Sequence, residues 1–143
     1  MTEKLSLAAA NAMIEKAFEK GAELRLKPLS VVVLDAGGHV IAFQRQDGAS
    51  NLRFKMAHGK AYGTLALGIG SRAIYERAQE QAYFINAVNA IADGALVPVP
   101  GGVLIKTASG DVLGAVGVTG DTSDHDEACA VAAIEAGGFT AVP

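Results

Sequence analysis

The chain has 143 residues, half of them apolar, with a formal net charge of −3. That length gives one domain, residues 1–143, with enough chain to bury a core, and the apolar fraction excludes disorder. The slightly acidic balance argues against nucleic acid or an anionic membrane as partner, and the lone cysteine, Cys129, excludes an internal disulfide or a multi-thiolate metal centre.

Uncharged stretches such as Gln81–Ala92 fall short of the roughly 20 apolar residues of a membrane helix. Charge is unevenly spread: residues 1–60 carry nine basic and six acidic groups, residues 61–143 three and nine. The basic and acidic ends are expected to meet, within the fold or between protomers. Glycine and alanine make up nearly a third of the chain, so close helix packing is expected.

Lys4 followed by Leu5–Met13 has a faint look of a secretory leader, but Asn11 and Glu15 interrupt it, and the same residues make a better helix. The expected location is cytoplasmic. Ser6 is the N-cap of that helix; Leu7, Ala10, Ile14, Ala17 and Phe18 recur at helical spacing, and the helix ends near Gly21. After Lys27-Pro28, Leu29–Asp35 is a β-branched strand, Ala36-Gly37-Gly38-His39 a hairpin turn, and Val40–Arg45 the returning strand.

Asp47–Ser50 breaks the chain, and Ser50 is placed as the cap of a helix over Asn51–Leu67. Gly68–Ser71 separates this from helical sequence between Arg72 and Ala92. Ala95–Val99 and Val103–Thr107 are read as extended on either side of Pro100-Gly101-Gly102, and Val112–Val118 as another strand. Thr122, Ser123 and Asp124 open a last helix, with a capping-box-like spacing of Ser123 to Asp126 and Asp124 to Glu127. Short turns between strands require a largely antiparallel sheet with helices packed on it, an α+β arrangement.

Candidate chemistry gathers in a basic stretch. Arg45 closes the second strand, Asp47 follows it, and Arg53, Lys55, His58 and Lys60 lie on the next helix, with His58 and Tyr62 one turn apart. A solvated helix face with an Arg45–Asp47 loop pair explains this as readily as an anion site, in which Arg binds a carboxylate as a fork. Of three histidines, His39 sits in the hairpin turn, His125 lies between Asp124 and Asp126 and suits a salt bridge, and His58 is mid-helix beside Gly59. No two stand at i, i+4, so no zinc pair is indicated.

Asp121, Asp124, Asp126 and Glu127 occupy the positive end of the last helix, which disfavours phosphate there; they cap it, hold a hard cation, or meet the Arg45/Lys60 patch. Gly68-Ile69-Gly70 follows a helix and lacks a third glycine, so it is no dinucleotide fingerprint. Pro100-Gly101-Gly102 permits a sharp bend and close backbone approach, as in a pocket wall. Cys129 falls on the apolar face of the last helix and belongs to the core.

The run from Val33 through Asp35-Ala36-Gly37-Gly38-His39 to Arg45-Gln46-Asp47-Gly48-Ala49 resembles the signature of the GlcG/HbpS family. So do Lys60-Ala61-Tyr62, Val99-Pro100-Gly101-Gly102-Val103, Gly114–Gly120 and Asp126-Glu127-Ala128-Cys129-Ala130, in the family's order over nearly the whole chain. The chain is also similar to the C-terminal part of PduO-type proteins. The resemblance implies a profilin-like fold with an antiparallel sheet of about five strands flanked by helices, assembling as a homodimer up to a homo-octamer, with haem as the ligand of some members. Arg45, Asp47, Lys60, Gly101, Gly102 and Asp126 fall in its motif blocks.

The reading that follows is an oligomeric protein binding haem or a small anionic ligand, with a part in haem degradation. Arg45, Asp47, Arg53, Tyr62, Gly101, Gly102 and Asp126 are its ligand-binding candidates and His58 its iron ligand. The alternative is a cofactor-independent enzyme acting on a small carboxylated or carbonyl compound in catabolism. There Arg45 anchors the carboxylate and Lys60 or His58 moves the proton.

Overall fold

The computed structural model describes residues 3–143. Helix α1 (Leu7–Glu23) starts where the Ser6 hydroxyl accepts from the Ala9 N–H at 3.0 Å, as its sequence position requires. It runs one short step past Gly21. Strands β1 (Ser30–Asp35) and β2 (Val40–Arg45) form the expected hairpin. Its turn is held by the Asp35 carboxylate, which accepts from Gly37 and His39 N–H at 2.9 Å each, while Gly38 takes φ +85°.

Helices α2 (Arg53–Leu67), α3 (Ser71–Glu80) and α4 (Ala82–Ile91) follow, then β3 (Gly102–Lys106), β4 (Val112–Thr119), α5 (Ser123–Ala136) and β5 (Thr140–Val142). The sheet has the order β2-β1-β4-β3-β5, every neighbour antiparallel. Five antiparallel strands with helices on both faces is the α+β architecture expected from the turn lengths.

Period-two alternation divides the core. Val31, Val33, Val103, Val116 and Val118 face α1 and α5, where Met13, Ile14, Cys129 and Ile134 complete one apolar cluster. Val32, Leu34 and Ala115 face the opposite way, onto Ala57 and Ala61 of α2. Full burial of each such Val, Ile or Leu contributes about 1.5–3 kcal/mol.

The small residues on α2 and the sheet explain how closely they pack. A side chain at Gly102 or Gly117 would fall on the carbonyl of Lys60 or Ala57, so helix and strands approach at backbone distance. On its outer side, α2 is covered in turn: Gly63 packs against Leu96 and Gly59 against Val97, whose N–H donates to the Gly59 carbonyl at 3.2 Å.

Three local expectations are corrected, on Ala95–Val99, Ser50 and Ser123. Ala95–Val99 is not a strand; β3 already has partners on both edges, and this segment instead lies on the glycine face of α2. The helical sequence expected between Arg72 and Ala92 is present as two helices that part at Gln81, and Arg77 stacks over Phe84 across the junction, 4.6 Å from the ring centroid. Ser50 gives α2 no side-chain cap, because Leu52 holds the cap position. Thr122 rather than Ser123 caps α5, accepting from His125 N–H at 3.3 Å, which leaves Asp126 and Glu127 for tertiary contacts. Strand β5, three residues beside β3, carried no local signal strong enough to be read.

Candidate functional site

Lys60 and Asp126 meet inside the protein. Lys60 leaves α2 on one face of the sheet, Asp126 leaves α5 on the other, and they join past the strand ends at Gly101-Gly102 and Val118. Lys60 Nζ donates to Asp126 Oδ2 at 3.1 Å and to the Val118 carbonyl at 3.0 Å, and the two side chains are 2% and 1% exposed. Asp126 Oδ1 accepts from the Asp121 N–H at 3.0 Å.

Gly101, at φ +125°, makes room for the lysine: a Cβ there would lie 2.9 Å from Lys60 Cδ and Nζ. Desolvation pushes the Lys60 pKa down, the Asp126 carboxylate works against it, and the nearby Arg53 charge adds to the fall. The acidic start of α5 thus meets the basic stretch of α2, one of the arrangements the charge pattern allowed.

One turn before Ala57, Arg53 reaches the sheet. Its guanidinium donates to Thr119 Oγ1 at 2.8 Å. Thr119 stands directly across the β1–β4 ladder from Ser30, and Ser30 directly across the β1–β2 ladder from Arg45. Ser30 and Thr119 are fully buried, and Ser30 Oγ has no hydrogen-bond partner.

His58 and Tyr62 belong to a different surface. Phe43 of β2 meets Phe54 edge-on with centroids 4.8 Å apart; Phe54 lies 5.9 Å from His58, and His58 stacks on Tyr62 at 5.7 Å with 14° between the rings. His58 lines a cavity of about 420 Å³ with Val40, Phe54, Lys55, Asp93, Gly94 and Ala95. Partial burial lowers the His58 pKa from its ordinary 6.5, so its ring is neutral at pH 7 and has a lone pair free for a metal. Among the described residues no cluster of three or more His, Cys, Asp or Glu is arranged for a metal ion.

Arg45 and Asp47 lie together on a third surface, a shallow cleft of about 650 Å³ between α1 and the end of β2, beside Phe18, Lys27 and Pro28. Among the described residues they form no ion pair with each other. The sequence candidates therefore divide in three: Lys60, Gly101, Gly102 and Asp126 with Arg53 at their edge; His58 and Tyr62; and Arg45 with Asp47.

His39 is exposed and bonds only its own turn, 3.2 Å from Asp35. His125 pairs with Asp121 at 2.9 Å rather than with its flanking acids, and Asp121 also accepts from the Lys27 N–H at 3.0 Å. Cys129 is buried in the core, and that burial pushes its thiol up to about 11, so it stays protonated and unreactive. Ser30, Thr119 and Phe43 were not anticipated as site residues. Their placement depends on strand register, which brings residues some 90 positions apart into one row.

Comparison with known proteins gives three findings of consistent direction. Residues 5–135 match the family described as haem degrading protein HbpS-like. A 15.0 kDa protein from the dhaT-dhaS intergenic region of Citrobacter freundii is 31% identical over 133 residues, covering 92% of this chain and 90% of that one. Among solved structures, the Klebsiella pneumoniae protein ORFY, of the DUF336 family, superposes with a TM-score of 0.87 at 25% identity, covering 96% of this chain and 93% of its own. A PduOC–haem complex shares the fold with a TM-score of 0.85 at 23% identity, covering 96% and 97%.

Proposed function

This chain belongs to the HbpS-like family, and on that premise we propose that it binds haem, or a related flat anionic ligand, against the His58 face of α2. The observation that carries the reading is a neutral, half-buried imidazole set between Phe54 and Tyr62 on the wall of an open cavity, with Lys55 on the same wall. Those residues fit the group. The aromatic rings suit a flat macrocycle, the imidazole suits iron, and the ammonium of Lys55 suits a propionate.

Bound haem would supply a redox-active iron; the chain supplies the ligand, the apolar wall and the cation. The family description and the haem-bound structure of a protein with this fold support the choice of ligand, and a part in haem degradation is the further step of the same reading. Self-association, from a homodimer to a homo-octamer, also belongs to it. A ligand lying on this open face needs a cover, and the uncharged helix α4 leaves Tyr83 and Ile91 73% and 84% exposed. Among the described residues no helix is long and apolar enough to cross a membrane; a cytoplasmic place in small-acid catabolism remains part of the proposal.

The catalytic alternative rests on a different observation, the lowered Lys60 pKa beside Asp126. In that reading Arg45 anchors a carboxylate and Lys60 or His58 moves a proton. It ranks second because Lys60 Nζ is already engaged by two acceptors and closed off from solvent. A haemin titration followed at the Soret band tests the first reading. The expected result is a saturable, stoichiometric band whose affinity falls about tenfold or more in His58→Ala. No band, unsaturable uptake, or an unchanged titration in His58→Ala overturns it.

A further inference from the structure

Buried hydroxyls are nearly always hydrogen-bonded, because leaving one unpaired costs about 1–3 kcal/mol. Ser30 Oγ is the one buried side-chain polar atom among the described residues without a partner. It sits in a polar row that crosses three strands, Arg45–Ser30–Thr119, whereas the next four β1–β4 pairs, from Val31–Val118 to Leu34–Ala115, are Val, Leu, Ala and Gly alone. Above that row lies Arg53, half-buried, with one nitrogen on Thr119 Oγ1 and a weak contact to Met56 Sδ at 3.8 Å. A guanidinium has five N–H donors, so most of its fork is uncommitted.

Charge points the same way. Lys60 is neutralised by Asp126 and Arg72 by Glu127 and Asp124, whereas neither Arg53 nor Arg45 has a carboxylate within ion-pair distance among the described residues. An uncompensated arginine, partly withdrawn from water, thus lies over the row that holds an unpartnered hydroxyl at the end of the sheet.

We propose that Arg53, Thr119 and Ser30 form the carboxylate-binding subsite of the protein. The ligand group is the carboxylate of a small organic acid or a haem propionate: it accepts from the Arg53 fork and from the Ser30 hydroxyl, which thereby gains the partner it lacks. The subsite deepens the ligand-binding reading above by naming where the acid group is held. It stands without His58 or iron, so the two can fail separately.

Malonate, a small dicarboxylate, is the probe, titrated calorimetrically into the haem-free protein. Wild type is expected to bind it saturably, and Arg53→Met to weaken it about tenfold or more, with Arg53→Lys in between because an ammonium keeps the charge but loses the fork. Ser30→Ala gives the sharper signature. It removes an unpaired buried hydroxyl, so the melting temperature without ligand holds or rises while malonate affinity falls. A purely structural serine would move both down together.

The same variants titrated with haemin separate the two sources of the carboxylate. Weaker haem binding in Arg53→Met identifies a propionate; unchanged haem binding with weaker malonate binding identifies a free acid. No saturable malonate binding in wild type, or equal affinity in wild type and Arg53→Met, overturns the subsite, whatever His58→Ala does to the haem titration.

Discussion

His58 and Lys60 are two residues apart on one helix, both polar, both singled out by their chemistry, and their surroundings differ in every respect. Two steps of an α-helix turn about 200°, so one side chain looks outward along the aromatic ladder and the other points into the junction of sheet and α5. Lys60 has its acceptors and a counter-charge, and a glycine clears its path. His58 has ring neighbours, a cavity and no hydrogen-bonding partner among the described residues. A satisfied, sealed charge holds layers together, whereas a half-open neutral imidazole is available to a ligand. The two residue types look equally catalytic in sequence; burial and partnership distinguish them.

The comparison breaks most sharply at the lysine. Lys60→Ala strands the Asp126 carboxylate in the interior and is expected to cost about 3–5 kcal/mol in urea unfolding. The double variant Lys60→Met/Asp126→Leu removes both charges and should recover much of that loss, short by about 1–2 kcal/mol for the Asp121 N–H and the Val118 carbonyl left without their partners. A double variant as unstable as the single one would mean that the pair does more than compensate itself. Gly102→Ala comes next. Its methyl meets the Lys60 carbonyl, so α2 must lift from the sheet, at about 1–3 kcal/mol by calorimetric melting.

Acid sharpens the same corner of the molecule. The Lys27 N–H, then the His125 ring and the Thr122 N–H, hold the Asp121 carboxyl well below its ordinary 3.8. The unfolded chain therefore takes up that proton first. Stability is fully present above about pH 4 and declines as pH falls toward the folded-state value. Asp121→Asn should flatten the fall of melting temperature with pH in that acid range; an unchanged slope would remove Asp121 from the account. Smallest of all, Asp47→Ala on the open cleft is expected to shift stability by no more than about 0.5 kcal/mol in the same melts.

Local chemistry made much of the fold legible. The Ser6 cap, the Asp35–His39 turn, the β-branched strands and the small residues of α2 each report a contact made within a few positions or by one face of one element. What could not be read depends on partners distant in sequence. Ala95–Val99 has strand composition, and only the glycine face of α2 explains why it leaves the sheet. Gln81 breaks a helix without a glycine or proline to announce it.

The candidate residues come from three stretches of the sequence, 45–62, 101–102 and 126, and the fold distributes them over three environments. Spacing placed His58 beside Tyr62 because both lie on one helix. It could not place Ser30 beside Thr119, since that neighbourhood exists only in the β1–β4 register. Asp126 looked like a capping residue and serves as the counter-ion of Lys60, because Thr122 takes the cap one position earlier.

The most direct test of the division between the two faces of α2 is one set of haemin titrations on wild type, His58→Ala and the Lys60→Met/Asp126→Leu double variant, each shown folded by circular dichroism. The account predicts that His58→Ala alone weakens the Soret-monitored affinity, by about tenfold or more, while the double variant titrates like wild type. Haem affinity that survives in His58→Ala but collapses in the folded double variant would contradict it, and would move the ligand site to the interior pair.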